Sequence, residues 1–225
     1  MNKVLFESLR TVVDTRFSCR GYLAKEVSTE TLDAILSIAQ RTPSWCNSQP
    51  WQVAVTRLAA TDRLRAALQA ASRTDDAWDI APPEEYVGVY QDRRRQCAWQ
   101  LYESVGVAPG DREASARQSA ENLKLFGAPH VAVITTEPGL GAYGVLDCGA
   151  YVSNFMLAAA SLGVAAIAQA ALASKARVLR EVLPIPANRK IVCGISFGYA
   201  DPAHPANAFR TVRAPLAEVV TRVNE

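Results

Sequence analysis

The feature that most restricts the fold is the stretch Thr42-Pro43-Ser44-Trp45-Cys46-Asn47-Ser48-Gln49-Pro50-Trp51. Before it, Leu32, Ile35, Leu36 and Ala39 recur at helical spacing. Pro43 stops that helix, because the residue ahead of a proline is pushed out of the α region. After it, Gln52-Val-Ala-Val-Thr56 alternates as a strand does. The stretch is therefore an uncharged helix-to-strand connection, stiffened by two prolines and carrying two indoles, an Asn and a Gln. Apolar faces and amide edges together suit a flat aromatic ligand. They equally suit a core-packing turn with two structural tryptophans, and the stretch alone does not separate the two.

The remaining elements follow from periodicity and caps. Leu5, Leu9, Val12 and Val13 predict an amphipathic helix over residues 4–15. Ser28 caps the helix that runs to Pro43, with Glu30 in its first turn. Thr61-Asp62 opens a helix with Leu64 and Leu68 inward, and a polar loop over 72–83 ends at Pro82-Pro83. Glu84–Ser104 reads as a long helix with Tyr86, Tyr90, Trp99 and Tyr102. Asp111 caps a helix expected to reach Phe126 and close at Gly127. His130–Thr136 is a buried strand, Tyr143–Leu162 an apolar helix rich in small residues, Ser174–Leu183 a short helix, and Ile191–Phe197 a core strand. The apolar helix belongs at the centre of the domain or at a dimer interface.

Composition limits the function classes. A chain of 225 residues, 49% hydrophobic, can bury one sizeable core in a single domain, residues 1–225. No apolar run is long enough to span a bilayer and Met1–Arg10 has no secretory pattern, so no membrane partner and a cytoplasmic location are expected. Cysteines at 19, 46, 97, 148 and 193 are odd in number and widely spaced, which argues against a disulfide framework or zinc site. His130 and His204 read as structural, so no metal is expected. With a net charge of +2, Arg93-Arg94-Arg95 reads as a solvated helix face and a nucleic-acid partner is not expected. Gly139-Leu-Gly141-Ala-Tyr-Gly144 has the form of a dinucleotide fingerprint. Glu137-Pro138 separates it from the strand, however, and no acidic residue follows between Asp147 and Glu181 to hold a ribose, so it reads as a loop.

A second polar segment is Arg16-Phe17-Ser18-Cys19-Arg20. Arginine forks and a hydroxyl match phosphate oxygens, although an isolated segment of this kind is more often a solvated basic loop. Its company changes the balance. Pro43-Ser44-x-x-Asn47-Ser48-Gln49-Pro50-Trp51 resembles the signature loop of the nitroreductase family of FMN-dependent oxidoreductases. Arg16-x-Ser18-x-Arg20 resembles that family's phosphate-gripping segment, at the expected distance before the loop. The resemblance extends from Arg16 to Arg213 in ordered blocks.

The resemblance implies an α+β fold, with a mixed, mainly antiparallel sheet wrapped by helices, in an intertwined homodimer holding two FMN at its interface. It implies that Arg16, Ser18 and Arg20 hold the phosphate, completed by Arg213 and then Arg210, with Phe17 and Cys19 of the same segment also binding the cofactor. Pro43, Ser44, Trp45 and Asn47 would contact the flavin from the partner subunit, Trp45 replacing a commoner second Ser and so shaping the substrate side. Asn122 and Lys124 would reach the flavin's polar edge and ribityl chain. Gln169 and Ala170 fall where loop N–H groups face flavin N5 and O4, and residues 84–108 would cover the substrate channel. The implied reaction is ping-pong: NAD(P)H reduces FMN, and a nitroaromatic, quinone or similar small aromatic acceptor takes the electrons. The cofactor carries the chemistry, so no catalytic side chain is assigned. Alternatives are reductive dehalogenation or substrate dehydrogenation on the same scaffold, or a flavin-binding protein for storage or sensing.

Overall fold

The computed structural model describes residues 2–71 and 73–224; Met1, Ser72 and Glu225, which belong to the expected domain and, for Ser72, to the expected loop 72–83, lie outside the described residues. The strands β1 (Gln52–Thr56), β2 (His130–Thr136), β3 (Ala165–Gln169) and β4 (Lys190–Gly198) form one sheet in the order β1-β2-β4-β3. Each pairing is antiparallel, and a lone parallel bridge joins Ser18 to Ala166 at the β3 edge. The class is α+β, as the resemblance implies; the expected mixed, mainly antiparallel sheet has only antiparallel pairings among its four strands.

Every residue of β2 is buried. Successive strand side chains point to opposite faces, so Ala132 and Ile134 enter one core while Val131 and Val133 enter another. Helices cover both faces. On the first lie α2 (Thr29–Ala39) and α6 (Gly141–Ser161), whose Leu32, Ile35, Tyr151 and Phe155 pack with Ile195 and Phe197 of β4. On the second lie α3 (Ala59–Ala70), α7 (Ala170–Ala173) and α8 (Ala176–Val182), contributing Leu64, Leu68, Leu172 and Leu179. Gly194 lets α7 approach β4, since a Cβ there would lie 2.4 Å from Cδ1 of Leu172. The remaining helices are α1 (Lys3–Thr15), α4 (Gly88–Ser104), α5 (Arg112–Ala120) and α9 (Leu216–Val219).

Several boundaries differ from those expected. Ser28 does cap α2, its Oγ accepting from Thr31 N at 3.2 Å, but the helix ends at Ala39. Arg41 and Thr42 then donate to Ile38 and Ala39 in a tightened last turn before Pro43. Helix α4 begins at Gly88 rather than Glu84. Asp111 caps α5 as expected, accepting from Ala114 N at 2.8 Å, yet the helix stops at Ala120 and not at Phe126. Leu125 and Phe126 take left-handed φ of 59° and 52°, which no α-helix tolerates, and both side chains are buried. Helix α6 starts at Gly141, so Gly141 and Gly144 lie in its first turn and not in a loop. A Cβ on Gly144 would fall 2.7 Å from Oγ1 of Thr136, so this glycine serves helix-to-strand packing. Helix α8 begins at Ala176, not Ser174. No helix among the described residues is long and apolar enough to cross a membrane.

The loop 42–51 is anchored to the sheet by a buried guanidinium. Arg189 Nε donates to Oγ1 of Thr135 at 2.9 Å, and Nη2 donates to the carbonyls of Thr135 and Pro50. Hydrogen bonds to charged groups are worth about 1.5–3 kcal/mol each, and removal strands the acceptors. Arg189→Met should lower the unfolding free energy by about 2–4 kcal/mol in urea titrations. A loss below about 1 kcal/mol would show that the loop is held by other contacts.

Candidate functional site

Segment 16–20 leaves α1 and runs along the open edge of β3, where Cys19 N donates to Ala166 O at 3.4 Å. The C-terminal segment closes on it. Asn207, 187 residues along the chain from Arg20, accepts from Arg20 N through Oδ1 at 2.8 Å. Its Nδ2 donates to Gly21 O at 2.8 Å and Asp201 O at 2.9 Å.

These segments enclose a cavity of about 440 Å³ lined by Arg16, Phe17, Ser18, Arg20, Arg210 and Arg213 among others. Asp14 alone among its described lining residues is acidic, and it pairs with Arg10 at 3.5 Å. The Arg210 guanidinium lies 3.9 Å from the centre of the Phe17 ring, and that of Arg20 5.6 Å from the Phe209 ring. Burial pulls the Arg16 pKa below its ordinary value, and the like charge of Arg213 pulls it further. Burial also lowers that of Arg20, with Cys97, Tyr22 and Cys19 acting in the opposite direction. Four guanidinium groups thus share a cavity with no free carboxylate to neutralise them. Cys19 takes a different place from its neighbours: its side chain is fully buried and Sγ donates to Gly21 O at 3.1 Å, so it braces the turn and does not line the cavity.

A second cavity, of about 220 Å³, shares Arg20 with the first and is lined by Asn122, Gln169, Ala170 and Tyr102. Gln169 Nε2 donates to Asn122 O at 3.0 Å and to its Oδ1 at 3.2 Å, while Gln169 Oε1 accepts from Ser196 Oγ. The two amides therefore hold each other rigid. The loop expected at 169–170 is instead the end of β3 running straight into α7. The first N–H groups of such a helical turn have no partner within it. Lys124 is not brought here. Its Nζ pairs with Glu121 at 2.6 Å, a helical-spacing ion pair that turns it outward.

A third cavity, of about 290 Å³ between α4 and α5, shares Tyr102 and Ser119 with the second and adds Trp99 and Arg112. Trp99 meets Tyr102 edge-on at 6.3 Å, whereas Tyr86 and Tyr90 line neither cavity. A larger cleft of about 980 Å³ separates α4 from residues 211–219 and touches the first cavity through Cys97, Thr211 and Arg213. Its charges are mixed, with Arg93 and Glu218 paired at 3.3 Å, so it lacks the unbalanced cationic character of the first. Among the described residues no cluster of three or more His, Cys, Asp or Glu could hold a metal ion.

Pro43, Ser44, Trp45 and Asn47 line none of these cavities. Their loop lies on the N-terminal half of α6: Trp45 N donates to Oδ2 of Asp147 at 3.1 Å and its ring meets Tyr143 at 4.2 Å. The two indoles divide the roles the sequence left open. Trp51 is buried against Tyr151 and donates to Oε1 of Gln40 at 3.0 Å, whereas Trp45 is 58% exposed. Sequence reasoning missed Asn207. Pro205 and Asn207 mark a turn, but nothing local says that the turn closes on Gly21.

An unneutralised arginine cluster should take up simple oxyanions. An anion bound with a Kd of about 1 mM adds about 1.4 kcal/mol of stability at about 10 mM. Inorganic phosphate should therefore raise the melting temperature of the ligand-free protein, and Arg16→Ala combined with Arg213→Ala should abolish the rise. An equal rise in both proteins would place the bound anion elsewhere.

The model of the nitroreductase family matches residues 13–199. Nitroreductase NfnB of Mycolicibacterium smegmatis is 35% identical over 216 residues, covering 95% of this chain and 92% of the relative. A 4-nitrobenzoate reductase of Nocardioides sp. is 32% identical over 221 residues, covering 96% and 90% respectively. The crystal structure of the FMN-dependent nitroreductase NfnB from Mycobacterium smegmatis in complex with NADPH superposes with a TM-score of 0.93 at 34% identity, covering 98% of this chain and 100% of that one. The chain belongs to the nitroreductase family.

Proposed function

We propose that this chain is an FMN-dependent oxidoreductase that moves electrons from NAD(P)H to a nitroaromatic, quinone or similar small aromatic acceptor, working as a cytoplasmic homodimer. The observation that carries the reading is a pair of cavities joined at Arg20, one cationic and one lined by rigid amides. That shape suits a planar heterocycle with a phosphate-ended tail. Arg16, Arg20, Arg210 and Arg213 would hold the phosphate, and the self-repulsion of the cluster would be relieved by it. Asn122, Gln169 and the N–H of Ala170 would meet the polar edge of the ring. When bound, FMN supplies the redox chemistry, passing the hydride equivalent of NAD(P)H on to the acceptor. The chain orients, excludes water and places fixed donors where negative charge develops. Tyr102, on the wall between the second and third cavities, with Trp99 beside it, would bound the acceptor. The relatives support the chemistry: two are named for nitroreduction, and one structure holds NADPH.

The dimer rests on two features of the single chain. Helix α1 has no buried residue, and Val4, Leu5, Leu9 and Val13 form an exposed apolar face with Leu146 of α6 exposed as well. Contiguous apolar surface of this kind marks an interface. Loop 42–51 lines neither of the two joined cavities of its own chain, which fits a loop that reaches a flavin in another subunit.

The activity is tested on the purified protein. Under anaerobic conditions NAD(P)H should bleach its yellow colour and a nitroarene should restore it. Chromatography of the heat-released flavin should give FMN; FAD or no flavin overturns the reading, and FMN without turnover leaves a binding protein.

The shared site is tested by complementation. One chain carries Arg16→Ala and Arg20→Ala, another Ser44→Ala and Asn47→Ala. Each homodimer has two damaged sites. If the loop serves the partner's flavin, the heterodimer combines all lesions in one site and leaves the other intact. It should bind one FMN with wild-type affinity and recover about half the activity, for independent sites. A differentially tagged heterodimer no better than its parents would put both motifs in the same subunit's site.

A further inference from the structure

The cationic cavity depends on arginines from opposite ends of the chain, and one buried amide joins the two ends. We propose that Asn207 is a positioning residue for the flavin phosphate. It clamps the Arg20–Gly21 backbone to the segment bearing Arg210 and Arg213, so that the arginines close on the phosphate as one preassembled unit. The inference rests on the FMN reading above and goes beyond it.

Asn207 is buried and uses both ends of its carboxamide. The oxygen accepts from Arg20 N, and the nitrogen donates to the carbonyls of Gly21 and Asp201. An Asn amide offers two donors and two acceptor lone pairs; both donors are taken, and Asn207 lines neither joined cavity. It acts through its neighbours. Its backbone carbonyl accepts from Arg210 Nη1 at 2.7 Å, and Arg210 in turn stacks on Phe17, the residue after Arg16. Contact on the other flank is equally close: a Cβ on Gly21 would lie 2.1 Å from Cγ of His204, and Asp201 N donates to Gly21 O at 3.0 Å. His204 Nδ1 accepts from Ala206 N at 3.3 Å, shaping the turn that presents Asn207.

Like charges separate unless something holds them. Burial and Arg213 already work against the charged form of Arg16. Without the latch the C-terminal pair would drift from the N-terminal pair, and a phosphate would have to gather them at the expense of affinity. The ring and ribityl chain would bind in the other cavity, which meets the latch only at Arg20, and would sense the change far less. A residue that only packed the turn would weaken every flavin alike.

Riboflavin, which is FMN without the phosphate, therefore separates the roles. In the full chain stripped of flavin, wild type should bind FMN more tightly than riboflavin. Asn207→Ala should raise the FMN Kd about tenfold or more while the riboflavin Kd stays within about twofold. Gly21→Ala, which forces the same two segments apart, should do likewise, and adding His204→Ala should recover part of the loss. A variant-free arm uses hydrogen exchange on the wild-type protein. The Arg20 amide, bonded to Asn207, and residues 204–213 should be better protected with FMN than with riboflavin. An unchanged FMN-to-riboflavin ratio in a folded variant, or equal protection by the two ligands, overturns the assignment. If wild type itself does not prefer FMN, the cofactor reading fails instead.

Discussion

A strand buried on both faces must be covered twice, and that requirement on β2 organises the chain. Its alternating side chains feed two separate cores, so helices are needed above and below the sheet. Only β1 and β3 remain as edges. An open edge is a row of unpaired backbone groups that proteins cover, and here segment 16–20 partly covers that of β3. The covering segment is the one that carries Arg16 and Arg20, and the same strand ends at Gln169. Protection of an edge and assembly of the site are thus one arrangement.

The electrostatics of the site run against folding. Gathering Arg16, Arg20, Arg210 and Arg213 around a cavity costs desolvation and mutual repulsion, and the protein supplies stacking and carbonyls in place of acids: Phe17 and Phe209 beneath two guanidiniums, and backbone oxygens of Ser18, Asn207 and Thr211 as acceptors. Carboxylates would neutralise the charge more cheaply, but they would also compete with an anionic ligand. Holding arginines with neutral acceptors keeps their charge available.

What was legible in the sequence was local. Periodicity located β2, β4, α2 and α6, and capping chemistry located the starts of α2 and α5 at Ser28 and Asp111. Failures arose where distant contacts decide. Residues 121–126 have helical composition, but burying Leu125 and Phe126 takes two left-handed residues in succession. Gly139–Gly144 looks like punctuation, yet Gly144 is small because Thr136 of β2 lies against it. Arg16, Arg20, Arg210 and Arg213, which a family pattern proposes as phosphate ligands, do line one cavity, whereas Lys124 pairs with a Glu three residues before it. Asn207 was invisible because its meaning lies in contacts 186 and 187 residues away.

The loop 42–51 carries a further argument. Cys46, Asn47 and Gln49 all have φ near +50°, although none is glycine. Non-glycine residues in that region cost of order 1–3 kcal/mol each, least for Asn. The loop keeps this geometry through a dense local network: Ser44 Oγ accepts from Gln49 N at 2.9 Å, Gln40 Nε2 donates to Oε1 of Gln49 at 3.0 Å, and Arg189 holds Pro50. A turn needed only to join α2 to β1 could have used glycine and avoided the strain. Here the strained residues are exposed, beside the N-terminal half of α6. Conformational strain held by the buried Arg189 and by local polar contacts, on an exposed loop, fits the preorganised contact with a second subunit proposed above.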